Sequence, residues 1–127
     1  MADEKQLGAW PKESIPNAAL LFMRVHELWR RNGGVSPGAF KNHNGGMSTD
    51  WEKYAAPEET RGRGREPERN AVVALAAGDV RQVPGQVVEH TPQVDNRAHG
   101  DVFGQKDTEA RFKLRRLASI VIPFRKL

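Results

Sequence analysis

The chain first turns apolar over residues 17–26, where Ala18, Ala19, Leu20, Leu21, Phe22, Met23 and Val25 give way to alternation with Arg24 and His26. A short apolar run that breaks into alternation suits a strand emerging from a core. Leu21, Val25, Leu28 and Trp29 also fit a helical period, and the alternation favours the strand. Glycine and proline interrupt the next twenty residues at Gly33-Gly34, Pro37-Gly38 and Asn44-Gly45-Gly46, leaving Ala39-Phe40 as the anchor there. Met47-Ser48 reads as a brief extended piece. Thr49-Asp50-Trp51-Glu52 has the spacing of a capping box, which predicts a short helix with Trp51 and Tyr54 turned inward. Pro57-Glu58-Glu59 can extend or restart it.

Residues 61–67 alternate Arg with Gly and read as a solvated loop. Beyond them the pattern is that of a sheet. Ala71-Val72-Val73-Ala74-Leu75 is a buried strand, and Gly78-Asp79 turns into a further piece at residues 80–83. Pro84-Gly85 precedes a strand over residues 86–90, and residues 98–103 form another. Asp107 or Thr108 caps a helix to about Ser119, with Phe112, Leu114, Leu117 and Ala118 inward and Lys113, Arg115 and Arg116 outward. Ile120-Val121-Ile122, before Pro123, is a final strand or a buried helix end. Residues 1–17, with Gly8, Pro11 and Pro16, predict a flexible arm pinned by Trp10 or Ile15 ahead of one domain over 18–127. The expectation is a small α+β fold: about five short, mostly antiparallel strands, one longer C-terminal helix and one short helix.

A chain of 127 residues is large enough to bury a core without a covalent or metal staple. The absence of cysteine excludes a disulfide scaffold, thiolate metal sites and a cysteine nucleophile. No apolar run approaches the roughly 18 residues of a membrane span. Residues 1–6 are polar, unlike a signal peptide, so the expected location is the cytoplasm. The net charge is +4, and the C-terminal segment 105–127 carries seven basic residues against two acidic ones, which accounts for the surplus. That localised charge predicts a non-enzymatic binding domain whose partner is nucleic acid or an anionic protein surface, engaged by Lys113, Arg115, Arg116, Arg125 and Lys126. Asn44-Gly45-Gly46 and the Gly62/Gly64 pair lack the flanking residues of phosphate loops, and no cofactor is expected.

Residues 86–104, read with 47–51, hold the densest polar cluster outside a helix face, including His90 and His99. Asp95 and Asp101 lie nearby, but none of the short histidine spacings of metal sites is present, so no metal site is expected. Two histidines with an arginine can cleave a phosphodiester by acid and base catalysis. His26, His90 and His99 are available, with Arg24 and Arg97. Arg24 ending one strand, Ser48-Thr49 following a second extended piece and Glu89 closing a third give an order that resembles the arginine-type ADP-ribosyltransferases. The resemblance implies that Arg24 holds dinucleotide phosphates, Ser48-Thr49 supports the site and Glu89 stabilises an oxocarbenium-like transition state. Val87 stands where that family carries the first member of its paired Glu-x-Glu or Gln-x-Glu. The alternative expectation is therefore a small nucleotide- or RNA-directed enzyme with its site at Arg24, Ser48, Glu89, His90 and His99. It requires His90 and His99 on one face, with the loop at 91–97 folding Asn96 and both histidines back toward Arg24 or residues 47–50.

Overall fold

A computed structural model describes residues 10–126. Among them the strands are β1 (Leu20–His26), β2 (Arg30–Arg31), β3 (Gly34–Val35), β4 (Gly46–Trp51), β5 (Asn70–Ala76), β6 (Val87–His90), β7 (His99–Phe103) and β8 (Ser119–Ile122). The helices are α1 (Pro57–Gly62), α2 (Ala77–Arg81) and α3 (Thr108–Leu117). Six strands make one sheet in the order β6-β7-β4-β1-β5-β8, and every neighbouring pair is antiparallel. The α+β class stands, with eight strands rather than about five. The extra pair, β2 and β3, is a separate hairpin closed by Asn32-Gly33. Positive φ at both of those residues, and again at Asn44 and Gly45, is what a tight type I′ turn requires.

Side chains alternate across a strand, so each strand gives one set to either face of the sheet. On the first face Leu21, Met23, Val25, Met47, Val73 and Leu75 join Val80 and Val83 around α2 and Leu114 of α3 in the main core. Burial of these apolar side chains supplies most of the driving force for folding. The second face holds only a small apolar cluster of Phe22, Val72 and Ala74, with Ile122 against it. Its polar positions are Arg24 and His26 on β1, Ser48 and Asp50 on β4, and His99 and Asp101 on β7.

Two local expectations give way to the tertiary structure. Thr49 does not cap a helix, because it and Asp50 pair with Gly100 and His99 of β7. The Thr49 hydroxyl donates to the Gly100 carbonyl at 2.9 Å, while the Glu52 carboxylate accepts from the Leu20 N–H of β1. A local box stabilises by about 1 kcal/mol, less than the ladder it would break. The helix starts instead at Pro57, where Glu59 accepts from the Ala56 N–H at 2.8 Å. Residues 77–81 are helical rather than extended, and the three-residue spacing of Val80 and Val83 turns both inward. Ile15 is buried, and Arg81 donates to the Ile15 carbonyl and Asn17 Oδ1, each at 2.7 Å, while residues 10–12, 14, 16 and 17 are exposed. Residues 1–9 of the expected arm lie outside the described residues.

Lys106, just after β7, is buried and donates to the Val102 and Gly104 carbonyls at 3.0 and 2.8 Å. Burial lowers its pKa from 10.5 to about 8. Below that pH the fold carries the full cost of a buried ammonium, and above 10.5 the amine is neutral in both states. Stability therefore rises as pH increases through this window, where the unfolded chain binds the proton more tightly. Urea unfolding at about pH 7.5 and about pH 9.5 should show wild type gaining on Lys106→Met at the higher pH. A difference that does not change with pH contradicts this assignment.

Candidate functional site

The polar half of the second face is built by register. Directly opposed residues in an antiparallel pair share a face. Phe22 faces Asp50, Asp50 faces His99, and Ser48 faces Asp101. Alternation along β1 adds Arg24 and His26 to the same side. A cleft of about 770 Å³ lies over these residues, Asp101 excepted. Residues 63–66, which follow α1, wall one side, Gln93, Asp95 and Asn96 wall the other, and Lys41 and His43 line it as well.

Asp50 is the floor of the cleft and is only 3% exposed. Its Oδ2 accepts from the Thr60 hydroxyl at 2.7 Å and from Arg63 Nε at 3.1 Å, and its Oδ1 accepts from the Asn96 amide at 2.8 Å. Asn96 Oδ1 in turn accepts from the Ala98 N–H at 3.1 Å, which sets the bend of the loop. That loop is folded back as the sequence requires for Asn96 and His99, though not for His90.

Arg24 lines the cleft beside this carboxylate. Its one hydrogen bond runs to the Thr60 carbonyl at 3.2 Å, and no carboxylate pairs with it among the described residues. Partial burial lowers the guanidinium pKa, the Asp50 charge opposes that shift, and Arg63 adds to it. A Cβ on Gly64 would stand 2.3 Å from Asn70 Nδ2 and 3.1 Å from Arg24 Cδ, so only glycine lets this wall settle onto Arg24. The charges lining the cleft are unevenly spent. Asp50 is taken by Arg63, and Glu66 bonds His26 and Arg69, which together lower its pKa. Lys41 lies 4.7 Å over the Trp29 ring. Arg24, Lys41 and Arg65 thus face Asp95 as the remaining acid, and the cleft is positive.

His99 stands at the β7 side of the cleft. Its Nδ1 lies 3.0 Å from the Thr91 carbonyl, which can only accept, so Nδ1 carries the proton in the neutral ring. The lone pair of Nε2 then faces Ser48 Oγ, 3.4 Å away. Nδ1 also lies 3.0 Å from Thr91 Oγ1, whose hydroxyl donates to Asp101 Oδ2 at 2.8 Å. Ser48 lies opposite Asp101 and diagonal to His99, and Thr91, just after β6, lies opposite His99.

His90 is placed elsewhere. It pairs with Gly100, one residue along β7 from His99, and so points into the opposite face. Its Nδ1 accepts from the Glu13 N–H at 2.9 Å, its Nε2 donates to the Arg97 carbonyl at 2.7 Å, and its ring meets Trp51 edge-on at 5.3 Å. His90 and His99 therefore do not share a site, which removes that pair for phosphodiester cleavage. Glu89 shares the face of Asp101 but sits on the edge strand, outside the cleft, in an ion pair with Lys12 at 2.6 Å. Of the five residues expected to form one site, Arg24, Ser48 and His99 come together, while Glu89 and His90 do not. Asp50, Thr60 and Thr91 were not legible as site residues, although alternation from Met47 to Trp51 places Ser48 and Asp50 on one face.

The basic C-terminal segment is partly committed within the fold. Arg125 grips Glu27 through two contacts of 2.9 Å, and Arg69 reaches the same carboxylate at 2.7 Å. These partners, Arg125 foremost, pull the Glu27 pKa down to about 2. Lys113 lies 3.5 Å from Glu109, and Arg115 packs over the Phe112 ring. Arg116 and Lys126 remain exposed.

His90→Ala would leave the Glu13 N–H and the Arg97 carbonyl unpaired beside Trp51. It should destabilise the protein by about 2–4 kcal/mol in urea unfolding. A loss under about 0.5 kcal/mol contradicts this structural role.

No group of three or more metal-ligating side chains forms among the described residues, and none of their helices is long and apolar enough to cross a membrane. No family model, curated protein or solved structure matches this chain.

Proposed function

We propose that this protein binds a small anionic ligand, a phosphate ester of about nucleotide size, in the cleft on the second face of the sheet. The observation that carries this reading is Arg24: a partly desolvated guanidinium lining the cleft, bonded only to the Thr60 carbonyl and paired with no carboxylate among the described residues. A guanidinium presents a planar fork of donors suited to phosphate, and partial desolvation strengthens such bonds. Lys41 and Arg65 add charge of the same sign. The cleft volume falls within the range of about 300–1,000 Å³ for small-molecule sites. The other reading, nucleic acid or an acidic protein on the C-terminal segment, is weakened by the commitment of Arg125 to Glu27.

Thermal-shift and calorimetric titration with inorganic phosphate, pyrophosphate and nucleoside mono- and diphosphates test this directly. At least one phosphate ester should stabilise the protein, and Arg24→Gln should weaken its binding about 10- to 100-fold, the value of a charge-assisted hydrogen bond. Arg116→Gln should leave affinity within about twofold, because exposed charges outside the cleft are screened. Failure of every phosphate to bind, or an equal loss in Arg116→Gln, contradicts the reading.

A further inference from the structure

We infer that Ser48 is an activated nucleophile and that the cleft catalyses hydrolysis of carboxylic esters. The inference deepens the cleft-binding reading above, since Arg24 would hold the anionic part of the ester, but the nucleophile itself rests on a separate set of contacts. An ordinary serine hydroxyl is a weak nucleophile and needs a base within reach, itself oriented by a third group. Ser48 has both. His99 Nε2 is 3.4 Å from its Oγ, and the Thr91 carbonyl fixes the proton on Nδ1, so the nitrogen facing Ser48 is the basic one. Behind the ring, Thr91 Oγ1 links Nδ1 to the Asp101 carboxylate, whose Oδ2 is itself 3.9 Å from Nδ1. That carboxylate faces the positive charge that appears on His99 when it takes a proton. Both Ser48 and His99 line the cleft, so a substrate carbonyl has access to the pair.

The reaction proceeds in two steps. Ser48 Oγ bonds to the ester carbonyl carbon as its proton passes to His99 Nε2 and the carbonyl π pair moves onto oxygen. That pair returns, the bond to the alkoxy group breaks, and the departing oxygen takes the proton from Nε2. The product is an alcohol, and the acyl group remains on Ser48. Water then attacks the same carbon while giving its proton to Nε2. The Oγ–carbon bond breaks, and Ser48 recovers the proton. The net change is ester plus water to acid plus alcohol. Thr91 and Asp101 are positioning residues, because they act through His99.

A purely structural Ser48–His99 contact would leave the hydroxyl unreactive, and a neutral alkyl fluorophosphonate separates the two cases. The serine oxygen displaces fluoride from phosphorus, its proton passes to His99, and a stable adduct remains for mass spectrometry. The folded wild-type protein should carry one adduct, on Ser48. Labelling should vanish in Ser48→Ala and slow about 100-fold in His99→Gln, the usual contribution of a general base. It should slow about tenfold in Thr91→Val, which keeps the backbone carbonyl and loses the hydroxyl link. Circular dichroism establishes that each variant is folded; should His99→Gln fail to fold, Thr91→Val decides. Absence of an adduct on Ser48, or labelling at the wild-type rate in the deciding variant, overturns the inference. Phosphate binding without labelling leaves the anion-binding reading standing and removes this one. Labelling without any phosphate binding does the reverse.

Discussion

A buried carboxylate organises the second face of this sheet. Asp50 is removed from water, so its charge persists only if fixed donors replace the lost hydration. Those donors come from three places in the chain: Thr60 in α1, Arg63 just beyond it, and Asn96 in the loop between β6 and β7. Each donor pulls its own segment toward the sheet. The two walls of the cleft are thereby anchored to one side chain, and Arg24 and His99 are enclosed between them. Removing Asp50 leaves Arg63 and Asn96 facing each other without their acceptor, so the cleft and the anchor cannot be separated.

The antiparallel register then decides which polar residues meet. His90 and His99 are both polar and sit on adjacent paired strands, yet one lies opposite Gly100 and the other is its chain neighbour. A single step along β7 sends them to opposite faces. The His90 ring is closed, with both nitrogens on backbone groups, and it pins residues 13 and 97 together against Trp51. The His99 ring is closed on one nitrogen and open toward a hydroxyl on the other. Similar residues thus serve packing on one side and present a chemical pair on the other.

The apolar runs at β1 and β5, the strands at β6 and β7, and the helix capped by Asp107 were legible, because each has its own period or stop signal, while β8 was open between a strand and a helix end. The segment at Thr49 was not. Its residues suit a local capping box, and only the partner strands, distant in sequence, make it extended. The turns at Asn32-Gly33 and Asn44-Gly45 carry the strongest short-range hairpin signal, and the first of them marks the additional β2–β3 pair. Within the site, residue type suggested Arg24, Ser48 and His99. The exclusion of Glu89 and His90 depends on strand order and register, which one sequence does not display. Asp50 was hidden for the same reason as the strand that carries it.

The central claim is that alternation across the sheet gives the two histidines opposite proton arrangements: His90 protonated on Nε2, His99 on Nδ1. Long-range proton–nitrogen correlation spectra of the imidazole rings, taken with both rings neutral, read this directly. Nε2–H at His90 and Nδ1–H at His99 are expected, and both assignments should stay unchanged in Thr91→Val, which keeps the backbone carbonyl that holds the His99 proton. A His99 ring protonated on Nε2, or the same tautomer at both positions, would contradict it.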